Sequence, residues 1–240
     1  MGNLLRSKYF YLFLKKKKFF KLDFQILSKK KKNKKKYDII ILDLPNNNYY
    51  ISEIVKKFSK KKHKIIALDY NFKFKINYNI SIFKKNNFAH KNYVGLKYAI
   101  IRDEFLKHKI QLNNKLFFIS IGSSDIKKIK NNIKEMFSQY FKEIYLNPNL
   151  ENKKNKNLNQ KKYLKKMISC KMAASNGGTT LLELLFLKKI VFVYPQNLSE
   201  LNFSNYLKKK GFNILINDFK INKKKIFNLK KQTQNNFQID

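Results

Sequence analysis

Short, uninterrupted apolar runs recur along this chain, and they constrain its fold more than any other feature. Apolar runs bounded by polar residues are typical of strands that are buried on both faces, as in parallel sheets. Segments with the apolar spacing of helices lie between several runs, and strands that alternate with helices predict parallel sheets. We therefore predict an α/β fold with two doubly wound parallel sheets. The predicted strands are 38–43, 64–69, 79–83, 116–122, 143–147, 170–175, 190–194 and 212–216.

The segments between these strands divide into helices, a linker, a loop and a tail. The polar stretch 107–115 is the candidate linker, so we predict an N-terminal domain over 1–108 and a C-terminal domain over 114–217. The segment ENKKNKNLNQKK, residues 151–162, is predicted to be a loop, and residues 218–240 a polar tail that is frayed or partly helical. The predicted helices are 4–14, 52–59, 125–140, 179–187 and 200–210.

The charge of the chain is extreme and raises the question of a polyanionic partner. The formal net charge is +39, with 54 lysine and arginine residues against 15 aspartate and glutamate residues. Such a charge favours nucleic acids or anionic membrane surfaces as partners. However, lysine is spread along the whole chain together with abundant asparagine, isoleucine and phenylalanine, which is typical of an A+T-rich genome. We therefore expect no specific nucleic-acid partner, and only weak electrostatic association with anionic surfaces.

Cysteine and histidine are too few to indicate a disulfide framework or a metal centre. Cys170 is the single cysteine, and His63, His90 and His108 lack the spacing of metal ligands. We expect no metal, no cofactor and a reducing, cytoplasmic compartment. The apolar stretch 9–14 is short for a signal sequence and is flanked by basic residues, and no apolar run reaches the length of a membrane span.

The segment ASNGGTTLLELL, residues 174–185, is the strongest candidate for a ligand site. A predicted strand ends here, two glycines turn the backbone and a predicted helix begins. Glycines allow phosphates to approach backbone N–H groups, and a helix start carries about half a positive charge. Thr179 and Thr180 could cap the helix or donate hydroxyls, and the Glu183 carboxylate, one turn beyond Thr179, could accept both hydroxyls of a ribose. An ordinary strand-to-helix turn with a surface glutamate is the alternative.

Four stretches of the chain together resemble one enzyme family in order and spacing. They are MGNLLRSKYFYLFLKK at 1–16, GLKYAIIRDEF at 95–105, FFISIGSSD at 117–125 and GGTTLLELL followed by KKIVFVYPQ at 177–196. The family is the UDP-2,4-diacetamido-2,4,6-trideoxy-β-L-altropyranose hydrolase of pseudaminic acid biosynthesis, whose C-terminal part is similar to glycosyltransferase family 28. All six glycines and both arginines fall at matching positions. The resemblance extends to about residue 217.

The resemblance implies a GT-B-like arrangement, in which two Rossmann-like domains face each other across a cleft. UDP would bind to the C-terminal domain, with Glu183 pointing into the cleft toward the ribose. The nucleobase of UDP would be held by backbone groups near Asn147 and residues 167–170. The diphosphate would lie at the glycine turn, and further contacts to sugar or phosphate would come from the start of each domain. The diphosphate set is Gly177, Gly178, Thr179 and Thr180, and the further set is Arg6, Ser123, Ser124 and Asp125, of which Asp125 could instead cap its helix.

The implied activity is metal-independent hydrolysis of a UDP-linked 2,4-diacetamido-trideoxy sugar, with cleavage of the C1–O bond and release of UDP. The product would be used for a nonulosonic acid of the cell surface. Two alternatives remain open. One is sugar transfer from a UDP-sugar to an acceptor on the same scaffold. The other is a degenerate homologue that binds UDP without catalysis.

Two departures from the family pattern bear on this activity. The family's histidine in Gly-His-x-x-Arg, which is taken to activate the attacking water, is Asn3 here. An asparagine amide cannot accept a proton at neutral pH, so the resemblance supports UDP-sugar binding more strongly than hydrolysis. The family's opening strand is also missing before Met1, and we expect an upstream in-frame segment that encodes it, because central parallel strands are hard to omit.

Overall fold

The computed structural model describes residues 2–16, 37–43, 63–69, 74–105, 112–121, 125, 127–147 and 156–231. The chain forms two compact units, which divide between Ile100 and Ile101. The sequence predicted this boundary between residues 108 and 114. The division lies earlier because the short segment 101–105 packs with the C-terminal unit, where Arg102 and Phe105 are both buried.

The N-terminal unit contains one helix and a four-stranded parallel sheet. The elements are α1 (Gly2–Lys16), β1 (Ile39–Leu42), β2 (Lys64–Leu68), β3 (Ile76–Ser81) and β4 (Ala89–Val94), followed by a 3-10 helix at Leu96–Tyr98. The strands lie in the order β1-β2-β3-β4. A small apolar core of Leu42, Ile65, Ala67 and Ile76 forms beneath them. The strands predicted at 38–43 and 64–69 are confirmed, and the third begins earlier than predicted, at Ile76.

Strand β4 could not be predicted from the sequence, because its residues do not form an apolar run. The strand has the sequence AHKNYV, and none of its residues is buried. It lies at the end of the described sheet and pairs with β3. A strand with so little burial needs no continuous apolar segment.

The C-terminal unit contains a five-stranded parallel sheet, with helices between successive strands and after the last. After a 3-10 helix at Asp103–Phe105, its elements are β5 (Asn113–Ser120), α2 (Lys130–Ser138), β6 (Glu143–Leu146), α3 (Lys156–Ser169), β7 (Cys170–Ser175), α4 (Thr179–Phe186), β8 (Ile190–Val193), α5 (Leu198–Lys209), β9 (Ile214–Ile216) and α6 (Lys223–Lys231).

The strand order of this sheet creates a topological switch point between β5 and β7. The order is β6-β5-β7-β8-β9, and all neighbours are parallel. The chain therefore leaves β5 in one direction to form β6, and it returns to the other side of β5 to form β7. In open α/β sheets, ligands bind outside the carboxyl ends of the strands at such a point. The expected location here is the edge formed by Ile121 and Ser175.

The apolar runs of this unit are buried on both faces, as the sequence predicted. Residues 116–119 of β5 and 190–193 of β8 are at most 1% exposed. The ring of Phe117 stacks on that of Phe137 in α2, with centroids 3.8 Å apart, and Phe192 joins the same cluster. Two parallel sheets with flanking helices thus confirm the α/β class.

The structure corrects the predicted loop and qualifies the predicted tail. Residues 156–162 belong to α3 rather than to a loop, because Met167 and Ile168 anchor the far end of that helix in the core. Its polar first turns carry no apolar periodicity from which a helix could be predicted. The segment predicted as a polar tail includes α6, which buries Ile226 and Leu229 one turn apart.

Two further expectations concern the predicted helix at 52–59 and the absence of a membrane-spanning helix. The helix predicted at 52–59 lies outside the described residues. Within the described part of the chain, no helix is both long enough and apolar enough to cross a bilayer.

The packing of α6 leads to a prediction about stability. Ile226→Ala should lower the free energy of unfolding by about 2–4 kcal/mol, because Ile226 is 3% exposed and its removal leaves a cavity. Phe227→Ala is the matched control; Phe227 is 56% exposed, and the change should stay within about 0.5 kcal/mol. Urea unfolding of both variants measures the difference. Equal effects would contradict the packing of this helix.

Candidate functional site

The turn between β7 and α4 leaves the start of α4 without a capping side chain. Gly178 is the N-cap residue, with extended backbone angles, and as a glycine it has no side chain that could cap the helix. Thr179 and Thr180 are the first two residues of the helix, so neither is the N-cap that the sequence allowed for. The N–H groups of a first helical turn have no partners within the helix. This helix start can therefore bind an anion through its N–H groups and its dipole.

The two glycines of this turn differ in what requires them. A Cβ atom at Gly177 would lie 2.5 Å from the backbone oxygen of Glu200, so the turn packs directly against α5. A Cβ atom at Gly178 would lie 3.3 Å from Asn176 Nδ2, a side-chain atom that can adjust. Close packing alone thus explains Gly177. The sequence assigned both glycines to phosphate binding, and that role stays a prediction.

Glu200 joins the turn after β7 to the loop after β8. Its Oε1 accepts a hydrogen bond from Asn176 Nδ2 and its Oε2 from the backbone N–H of Gln196, both at 2.7 Å. The side chain of Asn197 caps α5 by accepting from the N–H of Glu200. The carboxylate therefore holds two loops together at the carboxyl edge of the sheet.

Lys127 joins the segment after β5 to the same loop. Its backbone N–H donates to Gln196 Oε1 at 3.1 Å, and its Nζ donates to the carbonyl oxygen of Pro195 at 2.7 Å. Lys127, Asn176, Gln196 and Glu200 thus connect the segments that follow β5, β7 and β8, and we call these four residues the loop cluster. The loop cluster could not be predicted from the sequence, because its members come from three separate segments of the chain that only the fold brings together.

Asp125 accepts hydrogen bonds at the start of α2, although the N-cap residue of this helix is Ile129 and not Asp125. Its Oδ1 accepts from the N–H of Ile129 and its Oδ2 from the N–H of Lys130, both at 3.0 Å. Ser123 and Ser124, the other candidates in this segment, lie outside the described residues. Both carboxylate oxygens of Asp125 are therefore engaged with backbone at the helix start.

Glu183 is buried and paired, so the alternative of a surface glutamate is wrong. The residue is 5% exposed. Its Oε1 accepts from Arg102 Nε at 2.6 Å and its Oε2 from Arg102 Nη2 at 2.7 Å. Burial raises the pKa of Glu183 above its ordinary value, and the guanidinium of Arg102 opposes that rise. Each carboxylate oxygen has a second lone pair, so the contact with ribose stays a prediction.

Aromatic and hydroxyl groups surround this ion pair. The guanidinium carbon of Arg102 lies 4.6 Å from the ring centroid of Phe105 and 5.8 Å from that of Tyr163. The Tyr163 hydroxyl lies 3.5 Å from Ser120 Oγ and also hydrogen-bonds the side chain of Thr180. Burial raises the pKa of Tyr163, and the nearby Glu183 adds to that rise. Tyr163 thus connects Thr180 to the Arg102–Glu183 ion pair.

Other predicted contacts are described only in part. Asn3 and Arg6 lie in α1, but their side chains are outside the described part of the structure. In the region proposed to bind the nucleobase of UDP, Met167 and Cys170 are fully buried. The Cys170 thiol donates a hydrogen bond to the carbonyl oxygen of Met167 at 3.3 Å. The backbone N–H of Asn147 donates a hydrogen bond to the carbonyl oxygen of Ile119. Cys170 is thus a buried residue of the core strand β7.

Lys189 is a buried amine close to Cys170. The residue precedes β8, is 0% exposed, and its Nζ donates to the carbonyl oxygen of Ile168 at 2.6 Å. Burial lowers the pKa of Lys189 from 10.5 to about 8, and burial raises the pKa of Cys170 from 9.0 to about 12. Both groups lie in the core, away from solvent, so we assign them no ligand.

Comparison with known proteins adds no family assignment. The chain matches none of the protein-family models, and a search among curated proteins finds no match. The resemblance to UDP-sugar hydrolases therefore rests on the motifs quoted above.

In the described part of the chain, no three histidine, cysteine, aspartate or glutamate residues are grouped so that they could hold a metal ion.

The Arg102–Glu183 pair leads to a prediction about stability. Glu183→Ala should lower the free energy of unfolding by about 3–5 kcal/mol, because it leaves a buried guanidinium without its carboxylate. Glu143→Ala, which breaks the partly exposed pair with Lys166, should cost less than about 1 kcal/mol. The double variant Arg102→Met with Glu183→Leu should recover most of the loss, since no buried charge remains. Chemical denaturation gives all three values, and a double variant no better than Glu183→Ala would argue against the pair.

Lys189 leads to a prediction about pH. Between its folded pKa of about 8 and its ordinary value of 10.5, the unfolded chain holds a proton that the folded chain has lost. Stability therefore rises with pH in that window. Above pH 9 the buried Cys170 thiol acts in the opposite direction, because only the unfolded chain loses that proton.

Between pH 8 and 9 the free energy of unfolding should thus rise by about 1 kcal/mol through Lys189. Lys189→Met should lack this increment, whereas Lys188→Met, which removes the exposed neighbour, should keep it. Urea denaturation at the two pH values measures it. The same pH dependence in both variants would show that Lys189 does not titrate in this way.

Proposed function

We propose that this chain binds a UDP-sugar at the carboxyl edge of its C-terminal sheet and acts as a nucleotide-sugar hydrolase. One observation carries the proposal: the N-cap residue of α4 is a glycine, which supplies no capping side chain, and this helix start adjoins the switch point between β5 and β7. Parallel sheets bind ligands at that position, and uncapped helix starts bind phosphates. The uridine and sugar parts of the ligand are inferred from the motif resemblance.

The binding mode we propose places the diphosphate at the backbone N–H groups of residues 178–180. Glu183, held by Arg102, would accept from the ribose hydroxyls through the lone pairs that the guanidinium leaves. The pair would then orient the carboxylate before the ligand arrives. The sugar would extend toward the N-terminal domain across a GT-B-like cleft. The surrounding lysines would attract the ligand without selecting it.

The chemistry we propose is cleavage of the bond between C1 of the sugar and the diphosphate oxygen. The helix start would stabilise the charge that develops on the departing UDP. Water attack at C1 releases a proton that Asn3 cannot accept, so without a base this proton would pass to the departing diphosphate oxygen and the reaction would be slow. A protein that binds UDP-sugars without hydrolysing them is therefore the second candidate, and Asn3 is the observation that favours it. Incubation with a UDP-sugar, with and without an acceptor, separates hydrolysis, transfer and binding alone.

The proposed anion site at the start of α4 can be tested by a substitution that stabilises the helix but weakens diphosphate binding. Thr179→Glu adds an acidic residue to the first turn of α4, which stabilises a helix, while its charge repels a diphosphate. We expect UDP to bind at least about tenfold more weakly, because charge-assisted hydrogen bonds are lost. The melting temperature should be unchanged or higher. Calorimetric titration with UDP measures the affinity.

Ser199→Glu is the matched control, because it adds the same charge to the first turn of α5 at an exposed position. Its affinity for UDP should stay within about twofold of the unmodified chain, since surface charges act weakly through screening. Equal losses in both variants would show that UDP responds only to the net charge. No UDP binding by the unmodified chain would refute the proposed function.

A further inference from the structure

Lys127 is held in place by two separate hydrogen bonds to one loop. Its backbone N–H is bound to the side chain of Gln196 and its ammonium to the carbonyl oxygen of Pro195. The side chain is nevertheless exposed. A surface lysine ordinarily loses conformational entropy when it orders on a ligand. Lys127 has already lost part of that freedom, because its ammonium is positioned by the fold.

The position of this ammonium follows from the order of the strands. Lys127 follows β5, and Pro195 follows β8, while β7 lies between these two strands in the sheet. A contact between the two loops therefore has to pass the carboxyl end of β7. The turn at residues 176–178 begins at that end, and α4 starts directly after it. The ammonium thus lies on the same edge as the helix start, and an ammonium has two N–H groups beyond the one given to Pro195.

The charges at this edge require a cation if a diphosphate binds. A nucleoside diphosphate carries several negative charges, whereas a helix start supplies only about half a positive charge. The Glu200 carboxylate, 2.7 Å from Asn176 Nδ2, is a further negative charge beside the turn. Within the loop cluster, Lys127 is the member that carries a positive charge. A cation on this edge would lower the repulsion between Glu200 and a diphosphate at the helix start.

We propose that Lys127 is the cation that binds the diphosphate of the ligand, an inference that rests on the UDP-sugar site proposed above. It contacts phosphate oxygens and not the nucleoside. Its tie to Pro195 couples the β8 loop to ligand binding. The residue therefore contributes to the affinity for UDP but not to that for uridine.

The experiment compares UDP with uridine by calorimetric titration of the full chain at about 150 mM salt, where surface charges are screened. Lys127→Gln removes the charge but keeps an N–H donor for Pro195. It should weaken UDP binding roughly tenfold, as expected for one lost charge-assisted contact, and leave uridine within about twofold. Lys127→Arg should retain most of the UDP affinity. Lys128→Gln, which changes the exposed neighbour, should bind both ligands like the unmodified chain.

The possible outcomes decide between this inference and the function on which it rests. Equal loss of UDP and uridine binding in Lys127→Gln would show that the residue acts through the fold, and would overturn the inference. UDP binding that is unchanged in Lys127→Gln would also overturn it, while the UDP site itself would stand. Absence of UDP binding by the unmodified chain would overturn both proposals. Should Lys127→Gln fail to fold, Lys127→Arg and Lys127→Met allow the same comparison, with thermal melting as the check.

Discussion

The parallel pairing of β5 with β7 is the constraint on which the rest of the C-terminal unit depends. Residues 117–120 lie opposite 172–175, and both strands are buried. The chain between them forms β6 on the far side of β5 before it returns, so the pairing sets the strand order of the whole sheet. It also brings two loop starts together at one edge. The uncapped helix and the loop cluster are both consequences of that placement.

The site at this edge combines close packing with polar contacts that the protein makes to itself. Gly177 allows α5 to approach the turn, and Glu200 uses both of its oxygens to hold the adjoining loops. Glu183 uses both of its oxygens on Arg102. Gly177 and Glu183, which look like ligand contacts in the sequence, are therefore first of all contacts within the protein. Such internal bonding fixes their geometry, and preorganisation of this kind lowers the entropy lost when a ligand binds.

The sequence predicted the buried strands well, because a strand covered on both faces needs an uninterrupted apolar run. It could not predict β4, whose residues are only partly covered, or the polar start of α3, which is helical because its far end is anchored in the core. At the site, the helix start was predictable from the glycine turn. The pairing of Glu183 was not, because Arg102 lies 81 positions away and only the fold brings the two together. Local spacing places a residue on a face but does not say what covers that face.

The Arg102–Glu183 pair also determines where this chain can be divided. A boundary drawn at the polar stretch 107–115 would separate the two residues, although both belong to the C-terminal unit. A shortened chain that begins at residue 114 would carry Glu183 into the core with no guanidinium, and it would also lose Phe105 from the packing around the pair. A fragment cut at the division between Ile100 and Ile101 keeps both. The start of the C-terminal unit is thus set by this ion pair and the packing around it, and not by the composition of the linker.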